Sequence, residues 1–327
     1  MMGKNRLNVA LVLTIVIALV LLALPFVAKA YGSTYAITLA TRVLIYAMVA
    51  VSLDLILGYG GMVSFGHAAY FGLGGYVVAM LAFHLAEDTT IFGFSGTNEA
   101  LIAWPLAILV SGFAALVFGA LSLRTSGAYF IMITLAFAQM LYYVFVALKY
   151  YGGDDGLAMA TRNRLGGARI IDPQAFYLIC LALLGAVMLL VRQITGSRFG
   201  MVLTGAKASE RRMASLGFRV MPYRLVAFVI SGMIAGLAGA LFANLARFVS
   251  PDMMAWTKSG EFMVMVILGG LSSIVGPMIG AAAFILVEST LAGFTEHWQV
   301  IFGPIVVLIA LFAPRGLWGF ARRGDQT

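Results

Sequence analysis

GSRFGMVLTGAKASERRMASLGFRVMPYRL, Gly196 to Leu225, is a basic island set between two long apolar runs, and the rest of the chain is read outward from it. Together with Arg192 just ahead of it, the island carries Arg198, Lys207, Arg211, Arg212, Arg219 and Arg224, seven of the 21 basic residues, against one acid, Glu210. Lys and Arg near span ends resist translocation, so the segment is expected on the cytoplasmic side of a membrane. From about Ala206 to Leu216 the residues are good helix formers, Gly217 stands where a C-terminal cap belongs, and Pro222 stops any continuation. The pattern predicts a short helix parallel to the membrane with Met213, Leu216 and Phe218 on its apolar face. Such a helix can rest on anionic lipid or fill a groove on a cytoplasmic partner, and its chemistry alone leaves both open.

Composition makes the apolar runs more than local. Of 327 residues, 62% are hydrophobic and 10% charged, with 37 glycines and a mean hydropathy of +1.00. Runs of about 20 apolar residues recur along the whole length, the signature of a polytopic helical membrane protein. The pI near 9.7 reflects loop charges beside spans and does not point to nucleic acid. One cysteine, Cys180, excludes an intrachain disulfide and a cysteine metal cluster, and His67, His84 and His297 form no metal-spaced pair.

Ten spans are expected, near 7–28, 35–57, 67–86, 101–122, 127–148, 174–194, 223–246, 261–275, 276–293 and 298–314. The first follows Lys4 and Arg6 and ends at Ala28-Lys29-Ala30, which resembles a cleavage site, but the apolar run is about 20 residues where a signal core needs roughly 7 to 15, so an uncleaved span is expected. Residues 261–293 would make one tilted helix but for Gly269-Gly270-Leu271-Ser272-Ser273 and Gly276-Pro277 in the middle. An even count places 13 Lys and Arg on the island's side, including Arg124, Arg315, Arg322 and Arg323, against seven opposite, so both termini are expected to be cytoplasmic. The whole chain, 1–327, reads as one transmembrane domain with a cytoplasmic loop at about 196–222.

GYGGMVSFGHAAYFGLGGY, Gly58 to Tyr76, holds seven glycines in 19 residues, with Ser64 and His67 among them. Glycines permit local unwinding beside a water-filled passage, and they equally permit tight packing of small-residue helices. A faint echo joins this stretch to the second half, Ile56-Leu57-Gly58-Tyr59-Gly60-Gly61 against Ile267-Leu268-Gly269-Gly270, in the manner of paired broken helices. Among polar residues within spans, Arg42 and Asp54 are twelve residues apart, about 18 Å along a helix, and do not pair with each other. Glu261, Glu288, Asn244 and Gln139 are scattered, with no register for a proton relay, and His67 is the strongest candidate to line a passage. The outer loop from Lys149 to Pro173, with Asp154, Asp155 and Arg162, reads as a charged docking surface or as a solvated loop.

The ordered series of segments resembles one family. It runs from Leu57-Gly58-Tyr59-Gly60-Gly61-Met62-Val63-Ser64-Phe65-Gly66-His67-Ala68-Ala69-Tyr70-Phe71-Gly72 through Thr134-Leu135-Ala136-Phe137-Ala138 and Gly152-Gly153-Asp154-Asp155-Gly156-Leu157. It continues in Ala227-Phe228-Val229-Ile230-Ser231, Gly236-Leu237-Ala238-Gly239-Ala240-Leu241, Val249-Ser250-Pro251, Leu268-Gly269-Gly270-Leu271-Ser272-Ser273-Ile274-Val275-Gly276-Pro277 and Pro314-Arg315-Gly316-Leu317. This order is similar to that of the permease subunits of bacterial ATP-binding-cassette importers for branched-chain amino acids, in particular their M-type, over nearly the whole chain.

The resemblance implies a heterodimer with a second permease, two ATP-binding subunits that carry ATP and Mg, and a periplasmic binding protein that delivers leucine, isoleucine or valine; relatives carry urea or short amides. It implies an inner-membrane location and makes the island a coupling helix docked on the ATPase, with Lys207, Glu210, Arg211, Arg212, Met213, Leu216 and Gly217 in the contact. Gly217 matches the family's glycine, whereas Arg212 and Met213 stand where the family usually has two alanines. Gly60, Gly61, Ser64, His67 and Tyr70 become path candidates, and Asp154, Asp155 and Arg162 binding-protein contacts. The chain has no Gly-x-x-x-x-Gly-Lys-Ser/Thr, so no phosphate loop and no cofactor of its own are expected. An ion-coupled secondary transporter would need buried acids in a shared cavity, and a pore without energy coupling would make the island a lipid anchor.

Overall fold

A computed structural model describes residues 17, 19–29, 31–91, 93–166, 168–169, 172–294, 297, 299–300, 302–304, 306–307 and 316–323. The helices are α1 (Leu19–Lys29), α2 (Thr34–Asp54, prolonged by a π-helical turn, Leu55–Tyr59), α3 (His67–Ala86), α4 (Ala100–Ser122), α5 (Ala128–Ala147) and α6 (Pro173–Gly196). They continue with α7 (Arg198–Ala208), α8 (Glu210–Ser215), α9 (Val220–Ala246), α10 (Trp256–Gly269), α11 (Gly276–Leu291) and α12 (Gly316–Arg323). Six of them, α2 with its π-turn, α3, α4, α5, α6 and α9, are long and apolar enough to cross a bilayer. The chain is an all-α polytopic membrane protein; half of the expected first span and most of the last fall outside the described residues, as do Lys4, Arg6 and Arg315.

Burial sorts the spans into two layers. Two thirds of the central windows of α2, α3 and α9 are buried within the chain, against 33%, 22% and 33% for α4, α5 and α6, so the first three form the interior and the others the rim. Glycines set how closely the interior helices meet. A Cβ on Gly74 would fall on the carbonyl of Gly236, and one on Gly239 would fall on the carbonyl of Phe71, so α3 and α9 touch backbone to backbone. Association in lipid lacks a hydrophobic drive, and such close approach supplies the packing and dispersion that hold the pair. The glycine-rich stretch therefore divides in two. Gly58 lies in the π-turn and Gly60, Gly61 and Gly66 in the helix break that follows, while Gly72, Gly74 and Gly75 lie inside α3 at its packing seams.

The α1 helix docks on α6 through a defect of its own. Pro25 has no N–H, so the Leu21 carbonyl loses its helical donor; the Tyr177 hydroxyl, fully buried on α6, donates to that carbonyl at 2.8 Å. Gln174 adds a bond from Nε2 to the Pro25 carbonyl, 2.9 Å.

Two expectations need correction. The single helix expected over 206–216 is two, because Ser209 is extended (φ −164°, ψ 107°) and its side chain accepts from the Arg212 N–H as the N-cap of α8. Gly217, at φ +87°, is the cap expected, but Pro222 sits in the first turn of α9, where a missing N–H costs little, and stops nothing. The region 261–293 does break, with Gly270 at φ 110° and Ser272 at φ 58°. Its pieces, 14 and 16 residues, are about 21 and 24 Å long, short of the roughly 30 Å of hydrocarbon. They form a hairpin whose legs touch at glycine: the Met265 carbonyl occupies the place of a Cβ on Gly280, and that of Gly276 the place of one on Gly269.

Candidate coupling and translocation site

At the end of the molecule that bears the island, three remote segments meet on one carbonyl. The π-turn that closes α2 leaves the Gly58 oxygen free for other donors, and it takes two: Lys207 Nζ, from the last turn of α7, and Ser272 Oγ, from the hairpin tip, at 2.8 Å. Asp54 completes the junction by accepting the Ser272 N–H on Oδ1, 2.9 Å. Only glycine fits at position 58, since a Cβ there would overlap the Asp54 carboxylate and the Ser272 nitrogen. The Lys207 methylenes lie across Gly61, which holds φ +67°. From the other side Gly316, first residue of α12, abuts Gly269 and Gly270. The faint echo between residues 56–61 and 267–270 thus corresponds to two helix breaks that touch.

Although the resemblance put Lys207 in the ATPase contact, its amine is bonded within the chain, and beyond it the island opens to its surroundings. Arg211, Arg212, Leu216 and Gly217 are exposed, with Leu216 at 65% and Phe218 at 41%. Met213 is half-buried, turned back onto Gly205 of α7, so the apolar face is narrower than the sequence implies. Glu210 pairs with Arg224 at 2.8 Å, bracing α8 against α9.

The break from Gly60 to Gly66 leads into α3 and is held at both sides. The Phe65 N–H donates to Thr134 Oγ1 at 3.2 Å, and the Ala68 N–H, in the first turn of α3, to Ser259 Oγ of α10 at 3.0 Å. Among the path candidates, Gly61 is exposed, while Gly60, Ser64, His67 and Tyr70 are buried within this chain. His67 Nε2 lies 2.8 Å from Ser52 Oγ, the Ser52 carbonyl accepts from Ser231 Oγ, and His67 Nδ1 has no hydrogen-bond partner. Tyr70 meets Phe228 edge-on, with centroids 5.8 Å apart. Two apolar grooves of about 320 and 690 Å³ flank α1, and neither is lined by any path candidate.

At the opposite end the outer loop is stitched to the core by three asparagines that the sequence did not bring together. Asn163 Nδ2 donates to both the carbonyl (3.2 Å) and Oδ1 (2.8 Å) of Asn98, ahead of α4, and Asn163 Oδ1 accepts from Asn244 Nδ2 of α9 at 2.6 Å. Asn244 Oδ1 in turn accepts the Asn163 N–H, 2.8 Å. Antiparallel pairing of Leu157–Ala158 with Phe248–Val249 adds a second seam. Arg162 is half-buried: Nε donates to the Asn244 carbonyl, the guanidinium stacks 5.1 Å from the Phe176 ring centroid, and burial, then the like charge of Arg247, hold its pKa below the ordinary value. Asp154 and Asp155 are exposed.

The scattered charges also find partners. Arg42 Nη2 contacts Glu288 at 2.8 Å and its guanidinium lies 5.4 Å from the Tyr46 ring centroid; Lys258 pairs with Glu261 at 2.8 Å. The sequence shows only scatter because Arg42 and Glu288 are separated by 246 residues. In structure both pairs interact with Tyr46, and the two acids interact with each other.

Paired broken helices are a device of transporter folds. The family model of the branched-chain amino acid transport system permease component matches residues 35–311. This chain belongs to that family. Its curated relatives include the high-affinity branched-chain amino acid transport system permease protein LivM of Salmonella typhimurium, 25% identical over 331 residues, covering 93% of this permease and 75% of the relative. The LivM protein of Escherichia coli is 24% identical over 88% of this permease and 70% of its own length. The LivH protein of Escherichia coli is 26% identical, over 84% and 91%. No solved structure matches this permease.

Proposed function

We propose that this permease is the membrane-spanning subunit of an ATP-driven importer, and that it passes leucine, isoleucine or valine, released by a periplasmic binding protein, along a path shared with a second permease. Relatives of both the LivM and the LivH kind are permeases of branched-chain amino acid transport systems, which supports transport as the activity and two unlike permeases as the assembly. The observation that carries the energy-coupled reading is α8, a helix with Arg211 and Arg212 facing outward beside exposed Leu216 and Phe218. It suits a groove on a partner that hydrolyses ATP with Mg, and that partner is a separate chain. The inner bacterial membrane is the location this implies, with an even number of spans and both termini cytoplasmic. In support, α7, the hairpin tip and α12 gather at one end of the molecule. The gathering acids do not favour an ion-coupled carrier: Glu261 and Glu288 are neutralised by Lys258 and Arg42, and Asp54 is held by the Ser272 N–H.

ATP binding at the partner would favour one arrangement of the broken segments and hydrolysis the other, so coupling is a shift between two populations. Gly60, Gly61, Ser64, His67 and Tyr70 are the residues we place along the path, and the unpartnered Nδ1 of His67 supports its part in it. Asp154 and Asp155 are placed at the binding-protein contact; Arg162 contributes there through its hold on Asn244. The test is leucine uptake and ATP hydrolysis in proteoliposomes containing this chain, the second permease, both ATPase subunits and the binding protein. Arg211→Glu/Arg212→Glu is expected to depress both activities while the chain still inserts. Unchanged uptake, or uptake without ATP, sinks the importer reading.

A further inference from the structure

We infer that Lys207 is a positioning residue for transport: it ties the ATPase-facing loop to the unwound segment 60–66, and through it the motion of α8 reaches the translocation path. This rests on the importer reading above. Lys207 stands in the last turn of α7, three residues before α8 begins, and the extended Ser209 makes the joint between those helices a hinge in the backbone. Its amine reaches out of the island to the Gly58 carbonyl, the oxygen at which α2 stops being helical. Its stem covers Gly61, the left-handed residue that opens the break.

A carbonyl released from a helix ladder is a handle, because what it bonds to fixes the direction in which the chain leaves. Here the handle has two holders on different elements. Ser272 Oγ belongs to the hairpin tip, which the Asp54 carboxylate steadies, while Lys207 belongs to the loop that carries α8. Displacing α8 relative to the hairpin therefore loads Gly58 from one side only. The segment it would turn runs through Ser64 to His67, and is held by Thr134 at the Phe65 N–H and by Ser259 at the Ala68 N–H, both on other helices. Removing the amine leaves Ser272 on the carbonyl, so the fold is retained and the mechanical link alone is lost.

Lys207→Met keeps the stem over Gly61 and deletes the donor; Lys207→Arg keeps a cationic donor; Arg198→Met removes an exposed cation from the same helix and serves as the charge control. Each is assembled with its partner subunits, co-purification with the ATPase reports assembly, and uptake and hydrolysis are measured together as leucine carried per ATP. Loss of one charge-assisted hydrogen bond is expected to lower that ratio about tenfold in Lys207→Met. Hydrolysis should persist, Lys207→Arg should restore most of the ratio, and Arg198→Met should match wild type. An unchanged ratio in Lys207→Met overturns the inference, as does an equal fall in hydrolysis and uptake, which would make Lys207 part of the docking contact. If the wild-type assembly itself transports without ATP, the importer reading fails, and that outcome is separate from any effect of Lys207.

Discussion

Replacing Asn163 by alanine isolates the outer seam. Its side chain takes part in three hydrogen bonds, two from Nδ2 to Asn98 and one from Asn244 Nδ2 to Oδ1. At about 0.6 kcal/mol each, the average between membrane helices, the loss is about 2 kcal/mol; at about 1 kcal/mol each it is about 3. The partners are not left equal. Asn244 keeps the Asn163 N–H and the Ala240 carbonyl, and Asn98 Nδ2 keeps Thr161 Oγ1 and the Arg162 carbonyl, whereas Asn98 Oδ1 is left without this donor inside the protein. The expected cost is therefore about 2–3 kcal/mol, read as a shift in SDS-induced unfolding in mixed micelles. Trypsin should cut faster after Arg162 and Arg164 than in wild type. Asn163→Asp keeps Oδ1 for Asn244 but loses both donated bonds, so about two thirds of the effect is expected. The Asn98→Ala/Asn163→Ala pair should fall short of additivity by about 1 kcal/mol. A shift below about 0.5 kcal/mol together with unchanged trypsin resistance would refute the seam.

Other consequences follow from single contacts. Gly58→Ala puts a methyl onto the Asp54 carboxylate and the Ser272 nitrogen, and should cost about 1–3 kcal/mol and depress uptake in assembled complexes, whereas Gly185→Ala, with open space around it, should be silent in both assays. Tyr177→Phe strips the donor from the Leu21 carbonyl and should lower the unfolding midpoint by about 1 kcal/mol, most of it recovered in Tyr177→Phe/Pro25→Ala, where the backbone N–H returns. Arg42→Met leaves Glu288 as an unpaired carboxylate; partial exposure (31% and 16%) keeps the cost at about 1–2 kcal/mol, and Arg42→Met/Glu288→Gln should be more stable than the single variant in the same titration.

Where one local rule governed, the chain was legible. The six long helices follow their apolar runs to within a few residues, and the break at Gly269–Pro277 shows as glycine and proline in mid-run. Gly217 announced the end of α8 because only a left-handed residue caps that way. The split at Ser209 was also local, an N-cap serine just before Glu210 with Arg212 three positions on, and the run of good helix formers across it hid the signal. The joining of distant partners was not legible. Arg42 with Glu288, Asn163 with Asn98 and Asn244, and Lys207 with Gly58 depend on which helices become neighbours, and no periodicity carries that. Asp54 illustrates the difficulty, for its partner is a backbone N–H that any residue at 272 other than proline would offer.

The bond between Tyr177 and the Leu21 carbonyl also sets an order of events during synthesis. The acceptor is made 156 residues before its donor, which at roughly 5–20 residues per second is about 10–30 s of elongation. Throughout that interval α1 carries an open carbonyl at its proline, in a place where water is scarce. The N-terminal helix is thus unfinished until α6 arrives beside it, and the arrival of α6 closes the first half of the molecule as a unit. A nascent chain halted before Tyr177 should hold α1 loosely enough for membrane proteases and insertases to tell it from one halted after Gly196.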